Sequence, residues 1–314
     1  MVTTLLARAG FAAARPEPLP ADASKRYARL HGGPRPALLM QTPDPAYLDA
    51  FLRVAAHLEA IGVPAPAVLA VDPAAPAALV EDLGPASMAE ALDAGAEPLP
   101  LYLGAAETLA RLAAAPPPAG LPLWDAARMS AAAAATFLDW WWPAMFGAPP
   151  DDALRAGFDA ALRAMLAPFA GQGFVHRDYF PANLIPTPRG VAVIDFQDAA
   201  LGHPAYDLVS LVEDARRDVA PALRQAVLAR YLALRPELKE AEFAAAMAVC
   251  AAQRHLRVAA LWVRLARRDG KPHYLAHGPR CWALLARALE HPAAAPLRAF
   301  LDAHVPPERR RNPA

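Results

Sequence analysis

The stretch Phe174-Val-His-Arg-Asp-Tyr-Phe-Pro-Ala-Asn-Leu-Ile185, followed by Val191-Ala-Val-Ile-Asp-Phe-Gln-Asp198, decides the fold of this chain. In the first segment an acid, Asp178, is followed five positions later by an amide, Asn183. The second segment is an apolar run that ends on another acid, Asp195. One short hairpin at residues 186–190 separates the two apolar strands that this pattern predicts.

Acids and an amide in this order suit phosphoryl transfer, which needs a base beside the incoming hydroxyl and oxygen ligands for magnesium. His176, Arg177, Asp178 and Asn183 reproduce the spacing of the kinase catalytic loop, in which Asp is the base and Asn binds magnesium. Asp195 follows an apolar strand, as the second magnesium-binding residue of that pattern does. We therefore predict Asp178 as the catalytic base, Asn183 and Asp195 as magnesium ligands, and His176 and Arg177 as structural.

Each part of the pattern also has a structural interpretation when it is taken alone. Asp178 could cap a helix, and Asp195 could be a strand-end carboxylate that makes a turn. Gln197 departs from the pattern, which has glycine there. The two parts together, in order and one hairpin apart, favour a phosphotransferase.

The composition is that of a soluble globular protein large enough for two lobes. The 314 residues are 56% hydrophobic and 20% charged, and 31 basic residues balance 31 acidic ones, which does not favour a nucleic-acid partner. Two cysteines are too few for a disulfide framework. No apolar run approaches the roughly 20 residues that span a bilayer. We expect a cytoplasmic protein without a membrane partner, and a monomer by default.

Residues 1–84 are predicted to form a small β-rich lobe that binds the nucleotide. The turn before the second strand would hold phosphate through Ser24, Lys25 and Arg26, although a solvated polar turn has the same composition. Glu81 and Leu83 lie where the hinge of a kinase binds adenine through its backbone. An ordinary linker between two lobes would have the same sequence features. The predicted strands are Arg15 to Leu19, Lys25 to Leu30, Ala37 to Met40 and Ala77 to Val80, and the predicted helices are Val2 to Ala9 and Pro45 to Ile61.

Residues 85–305 are predicted to form a mostly helical lobe, and residues 306–314 a disordered tail. A run of three tryptophans, Trp140 to Trp142, is interpreted mainly as core. The predicted helices are Leu101 to Ala114, Ala127 to Trp142, Asp151 to Ala170, Pro221 to Leu234, Lys239 to Asp269 and Pro279 to Leu289.

The chain resembles the aminoglycoside phosphotransferase superfamily, and within it the bacterial anomeric sugar kinases that act on N-acetylmuramate and N-acetylglucosamine. The resemblance implies an α+β, protein-kinase-like two-lobed fold, ATP and Mg²⁺ as cofactors, and a small sugar as the acceptor. The segments that carry it are Asp22-Ala-Ser-Lys-Arg-Tyr27, Val175-His-Arg-Asp-Tyr179, Ile194-Asp-Phe-Gln-Asp-Ala199, Gly202-His-Pro-Ala-Tyr-Asp-Leu-Val-Ser210, Gln253-Arg-His-Leu256 and Leu265-Ala-Arg-Arg-Asp-Gly-Lys-Pro272.

Two features of residues 1–84 depart from the kinase pattern. Met40 and Gln41 stand on the third strand where kinases carry the phosphate-binding lysine, so Lys25 or Arg26 would have to supply the cation. The helix that follows has no glutamate at mid-length for the usual lysine–glutamate pair.

The acceptor is expected to be a small molecule. Eleven positions from Asp195 to Tyr206 leave no room for an activation loop. From residue 253 to residue 280 there are seven basic residues and one acid. This charge favours an acceptor with a carboxylate, bound by Arg254 or Arg264, and disfavours cationic acceptors. A solvent-exposed helix face would have the same composition. Asp198 and His255 are further candidate substrate contacts.

Two alternatives remain open at the level of the sequence. A phosphotransferase of the same superfamily could use choline, homoserine or an aminoglycoside as its acceptor. A nucleotide-binding pseudoenzyme would account for the missing third-strand lysine.

Overall fold

The computed structural model describes residues 2–20, 25–72 and 76–313. The helices are α1 (Val2–Arg8), α2 (Pro45–Ala60), α3 (Met88–Asp93), α4 (Pro98–Ala114), α5 (Ala126–Thr136), α6 (Trp142–Phe146), α7 (Asp152–Leu166), α8 (Ala205–Val212), α9 (Pro221–Leu234), α10 (Glu240–Arg268), α11 (Gly278–Leu289) and α12 (Ala295–His304). The strands are β1 (Arg15–Leu19), β2 (Arg26–His31), β3 (Ala37–Gln41), β4 (Val68–Asp72), β5 (Ala77–Glu81), β6 (Gly173–Val175), β7 (Leu184–Thr187), β8 (Gly190–Val193) and β9 (Ala200–Gly202).

The chain divides into two compact units whose boundaries differ from those of the lobes predicted from the sequence. Unit 1 comprises the described parts of Met1–Gly120 and Asp178–Ala199, and unit 2 those of Leu121–Arg177 and Ala200–Ala314. The segment from Asp178 to Ala199 thus joins the unit that contains the N-terminal sheet. The lobe boundary predicted after residue 84 stays a prediction.

Unit 1 is built on a five-stranded antiparallel sheet of order β1-β2-β3-β5-β4. The β2–β3 register pairs Tyr27 with Met40 and Arg26 with Gln41. One face of the sheet packs with α1, where Leu5, Phe11 and other apolar side chains form a small core. The central strands β3 and β5 are the most buried, as expected from their apolar sequences.

Helix α2 begins and ends as its sequence predicts. The Asp44 side chain accepts a hydrogen bond from the Ala46 amide, and Pro45 occupies the first turn, where its missing amide hydrogen is not needed. Gly62, with φ of 65°, follows the helix in the left-handed region that favours glycine. The buried face of α2 consists of Leu48, Phe51, Val54, Ala55 and Leu58.

A second hairpin of unit 1, β7–β8, lies between Asn183 and Asp195 of the predicted catalytic motif. Helix α4 holds the hairpin and the loop before it by one hydrogen bond each: the Thr108 hydroxyl donates to the Val191 carbonyl (2.9 Å), and the Tyr179 hydroxyl donates to the Ala105 carbonyl (2.7 Å). All four residues are buried. These contacts fix the hairpin to a long helix within unit 1.

Unit 2 is helical around α10, which packs against α5, α8 and α11. The helix predicted from Ala127 to Trp142 is interrupted by a π-helical turn at Phe137–Trp141 and continues as α6. Trp141 and Trp142 are buried and Trp140 is half-buried, so the core interpretation holds for two of the three tryptophans.

The C-terminal segment differs from the disordered tail that its composition predicts. The Trp141 indole donates to the Arg311 carbonyl (2.8 Å), and the Trp282 indole donates to the Asn312 side chain (3.0 Å). Pro307–Arg309 form a 3₁₀ turn. Two buried indoles that need acceptors therefore order a segment that looks solvated in the sequence. Within the described ranges, no helix is long and apolar enough to cross a membrane.

Candidate active site

The β7–β8 hairpin brings the amide and the second acid of the catalytic motif to the same end. Leu184 pairs with Val193, and the Ile194 amide donates to the Asn183 carbonyl (3.1 Å). Asp195 therefore leaves the hairpin beside Asn183. The Asn183 side-chain amide donates to the Asp178 carbonyl (2.9 Å), which ties the predicted base to the same loop.

Lys25 supplies a cation at this site. Its ammonium forms an ion pair with Asp195 Oδ1 inside unit 1, and the two side chains are 16% and 34% exposed. Met40, at the usual lysine position, is fully buried and accepts from the Tyr27 hydroxyl (3.3 Å). Lys25 immediately precedes β2, the strand that pairs with β3, and it is the cation that pairs with Asp195. Arg26, the other candidate, is exposed.

Asp195 is held in an unusual backbone conformation. Its φ is 61°, and with Arg177 at 75° it is one of two non-glycine residues with positive φ in the described part of the chain. Such conformations cost about 1–3 kcal/mol and persist where the surroundings enforce them, often at functional sites. Gln197, 8% exposed, donates to Asp195 Oδ1 (3.2 Å) and to Asp198 Oδ2 (3.0 Å). The residue that replaces the motif's glycine thus links two carboxylates.

Unit 1 contains a cavity of about 740 Å³ beside these residues. Five of the predicted site residues line it, namely Lys25, Glu81, Leu83, Asn183 and Asp195. Its apolar wall includes Leu38, Val80, Ile185, Ile194 and Phe196. Pockets of this size and mixed lining accommodate small-molecule ligands and cofactors.

The hinge segment of this cavity is fixed by a pair of side chains that the sequence did not single out. Arg29 Nε donates to Asp82 Oδ2 (2.6 Å), and Asp82 Oδ1 accepts from the Gly84 amide (3.1 Å). The Glu81 side chain accepts from Arg189 (2.9 Å) and the Glu81 amide donates to the Ala67 carbonyl (2.8 Å), so the Glu81 carbonyl and the Leu83 backbone are the candidate groups for a base. Ser24, the remaining nucleotide candidate, lies outside the described residues.

The donor set at the end of the hairpin fits magnesium, which prefers oxygen ligands. The Asn183 amide nitrogen is engaged with the Asp178 carbonyl, so the Asn183 side-chain oxygen is the group available to a metal. Asp195 already pairs with a cation, Lys25. Asn183 and Asp195 are therefore suitable magnesium ligands.

In unit 2, Asp207 fixes the backbone just before the predicted base. Its two oxygens accept from the amides of His176 (2.5 Å) and Arg177 (2.9 Å). Arg177 thereby keeps its left-handed conformation, and its guanidinium lies 4.2 Å from the Trp124 ring centroid. An aspartate within the apolar run of α8 was the available sequence signal for this role.

The predicted acceptor residues on α10 lie at different depths. Arg254 is 2% exposed and His255 is fully buried, whereas Arg264 is half-buried. Arg264 Nε is buried and has no hydrogen-bond partner among the described residues. Asp198, in unit 1, is exposed. Of the three α10 candidates, Arg264 is the one whose position suits contact with a bound molecule.

His255 takes part in a buried ionic cluster around Glu213. The Glu213 carboxylate accepts from His255 Nε2 (2.8 Å) and pairs with Arg224 (2.8 Å) and Arg287 (2.9 Å). Burial alone would raise the pKa of Glu213, but the hydrogen bond from His255 and the charges of the two arginines lower it to about 2. Burial lowers the pKa of His255, which therefore acts as a neutral donor. This bonding favours a structural role for His255.

Several relatives align over most of this chain's length. A protein of Caulobacter vibrioides named N-acetylmuramate/N-acetylglucosamine kinase is 37% identical, over 96% of this chain and 95% of its own. A protein of Pseudomonas aeruginosa with the same name is 32% identical, over 87% and 83% of the two chains.

Solved structures with a similar fold have low sequence identity. A choline/ethanolamine kinase family protein of Mesorhizobium loti has a TM-score of 0.63 at 16% identity, and covers 92% of both chains. An aminoglycoside phosphotransferase in complex with GDP and kanamycin has a TM-score of 0.58 at 15% identity, over 92% and 94% of the chains. These similarities confirm the predicted protein-kinase-like fold class.

The match to a known family covers most of the chain and includes the β7–β8 hairpin. Residues 16–242 match the family described as phosphotransferase enzyme family. The resemblance inferred from the sequence is thereby confirmed. The chain belongs to the phosphotransferase enzyme family.

Proposed function

We propose that this protein is an ATP- and magnesium-dependent sugar kinase that phosphorylates the anomeric hydroxyl of N-acetylmuramate and N-acetylglucosamine, in the recycling of cell-wall sugars. The observation that carries the proposal is the β7–β8 hairpin of unit 1, which presents Asn183 and Asp195 beside Lys25 and a nucleotide-sized cavity. The names of the two relatives support the choice of sugars.

The cavity of unit 1 would hold ATP. The Glu81 carbonyl and the Leu83 backbone would pair with adenine, and the base would lie between apolar side chains such as Leu38 and Val80. Lys25 would contact the phosphates as a point charge. Its presence weakens the pseudoenzyme alternative, which rested on the missing third-strand lysine.

Asp178 would act as the general base. Its carboxylate accepts the proton of the anomeric hydroxyl while the hydroxyl oxygen bonds to the γ-phosphorus and the bond from that phosphorus to the bridging oxygen of ADP breaks. The products are a sugar 1-phosphate, ADP and the proton on Asp178. Magnesium held by Asn183 and Asp195 would neutralise charge on the phosphates.

Arg264 would bind the carboxylate of the acceptor. The segment from residue 253 to residue 280 carries seven basic residues against one acid. The unpartnered Nε of Arg264 is a donor suited to a carboxylate oxygen. N-acetylmuramate has such a carboxylate and N-acetylglucosamine has none, which makes the pair a direct test of this contact.

The proposed base is tested by Asp178→Asn. The change keeps the side-chain shape and removes the proton acceptor, so kcat should fall by roughly 10²–10⁴-fold while nucleotide binding persists. Sugar-dependent ADP release and calorimetry with ATP measure the two effects. Asp49→Asn, at an exposed site on α2, is the matched control. Turnover within a few-fold of the unaltered protein would remove Asp178 from this role.

The site of phosphorylation is tested with methyl glycosides. If the anomeric hydroxyl is the acceptor, N-acetylglucosamine should consume ATP and its methyl glycoside should not, because methylation replaces the reacting hydroxyl. Phosphorus NMR of the product then identifies the position of the phosphate. Phosphorylation of the methyl glycoside would show that another hydroxyl reacts, and a protein inert towards both sugars would reject them as substrates.

A further inference from the structure

Lys25, the cation proposed to contact the phosphates of ATP, has an aromatic ring among its neighbours in unit 1. Its ammonium forms an ion pair with Asp195 and lies 5.8 Å from the ring centroid of Tyr47. A cation within about 6 Å of a ring centroid is attracted by the negative charge of the ring face. The Lys25 side chain is 16% exposed, and this attraction is stronger where water is partly excluded.

The two acids of α2, the helix that carries Tyr47, are exposed to solvent. They are Asp49 and Glu59. In protein kinases, a glutamate of the corresponding helix forms an ion pair with the phosphate-binding lysine. In this chain the acid that pairs with Lys25 is Asp195, outside α2. Tyr47, in the first turn of α2, is the residue of this helix that the structure places beside the lysine.

Helix α2 also contacts the segment that contains Asp195. Phe51 lies one turn after Tyr47, and its ring stacks on the ring of Phe196 with the two centroids 4.9 Å apart. Residues four positions apart lie on the same face of a helix. One face of α2 therefore lies against both halves of the Lys25–Asp195 ion pair.

The aromatic neighbours of Lys25 do not neutralise its charge. Tyr27 donates its hydroxyl proton to Met40 Sδ (3.3 Å), and its own hydroxyl stays protonated at physiological pH, because burial and then the neighbouring Tyr47 raise its pKa well above the ordinary value of 10.0. A glutamate would cancel the charge of the lysine. An aromatic ring attracts the ammonium and leaves its full charge for a phosphate oxygen.

We propose that Tyr47 is a positioning residue whose ring holds the Lys25 ammonium by a cation–π contact, in the place that a glutamate has in protein kinases. Among the described residues that line the nucleotide cavity are Lys25 and Phe51 but not Tyr47, so Tyr47 acts on ATP through the lysine. The inference rests on the proposed function for the presence of ATP in this cavity. It does not depend on which sugar is the acceptor.

The test varies the charge of the ring face while the shape of the ring stays nearly constant. Phenylalanine, and then phenylalanine with one, two or three ring fluorines, replaces Tyr47, and calorimetry measures the dissociation constant of ATP with magnesium. Tyr47→Phe keeps the ring and should bind within about twofold of the unaltered protein. Fluorine withdraws electrons from the ring face, so each added fluorine should weaken binding, and the series should span roughly two- to thirtyfold.

The same series in a Lys25→Met background is the matched control. Without the ammonium the fluorines have no cation to affect, so the dissociation constant should stay within about twofold across the series. Tyr47→Leu should likewise weaken ATP binding alone and add little to Lys25→Met. A ring that acted only by packing would give constant or stronger binding as fluorines are added, because fluorination adds apolar surface.

The outcomes separate this inference from the proposed function. Fluorine-dependent ATP binding in a protein that is inert towards both sugars would reject the sugars and keep the role of Tyr47. A flat series in the presence of Lys25, or equal trends with and without Lys25, would overturn the inference and leave the kinase site in place. A protein that binds no ATP would overturn both. If Tyr47→Leu does not fold, the fluorinated series, which conserves the ring, decides the role of Tyr47.

Discussion

At the scale of single residues, the candidate site could be predicted because its motif is local in the sequence. Asp178, Asn183 and Asp195 are joined by one short hairpin, whose register follows from two apolar strands. The Lys25–Asp195 ion pair spans 170 positions, and nothing in the spacing of either residue predicts it. Asp207 was missed for the same reason, since its partners lie 30 and 31 positions away.

The variants Lys25→Met and Arg26→Met distinguish the two candidates for the phosphate-binding cation that the third strand lacks. A charge-assisted contact is worth about 1.5–3 kcal/mol, so losing the Lys25 contact to phosphate should weaken ATP binding by roughly ten- to a hundredfold. The exposed Arg26 should contribute much less. Calorimetric titration with ATP and magnesium measures both. A loss at Arg26 with none at Lys25 would reverse the assignment.

At the scale of elements, helix ends with clear chemical signals were predicted well. The start of α2 at Pro45 and the whole of α9 match the structure. The π-helical turn at Phe137–Trp141 was not predicted, because one extra residue per turn leaves the apolar pattern of a helix almost unchanged. Helix α12 was not identified either; it is short and follows a proline-containing segment.

Helix α10 carries Arg264, the half-buried residue proposed to bind the acceptor's carboxylate. If Arg264 reads the acceptor's carboxylate, Arg264→Gln should lower kcat/KM for N-acetylmuramate by roughly ten- to a hundredfold relative to that for N-acetylglucosamine. Arg267→Gln, at an exposed site one turn further on, is the matched control. Competition between the two sugars for one enzyme sample measures the ratio directly. Equal losses for both sugars would limit Arg264 to supporting the helix.

At the scale of the whole molecule, the two units are stabilised in different ways. Unit 1 combines a sheet, a small apolar core and the nucleotide cavity. In unit 2, the carboxylate of Glu213 joins the end of α8 to Arg224 of α9, His255 of α10 and Arg287 of α11. A composition of balanced charges gives no sign of such a cluster, because it depends on which charges the helices bring together.

The Glu213 cluster should make unit 2 sensitive to acid. The folded pKa of about 2 lies below the ordinary value of 4.5, so the stabilisation is present above about pH 4.5 and is lost as pH falls towards 2. Glu213→Gln should therefore lower the free energy of unfolding at pH 7 by roughly 3 kcal/mol and weaken its dependence on acid pH. Urea unfolding at about pH 7 and about pH 4 measures both effects, with Glu237→Gln at an exposed ion pair as the control. An unchanged unfolding free energy at pH 7 would mean that the desolvation of Glu213 cancels the attraction of its three partners.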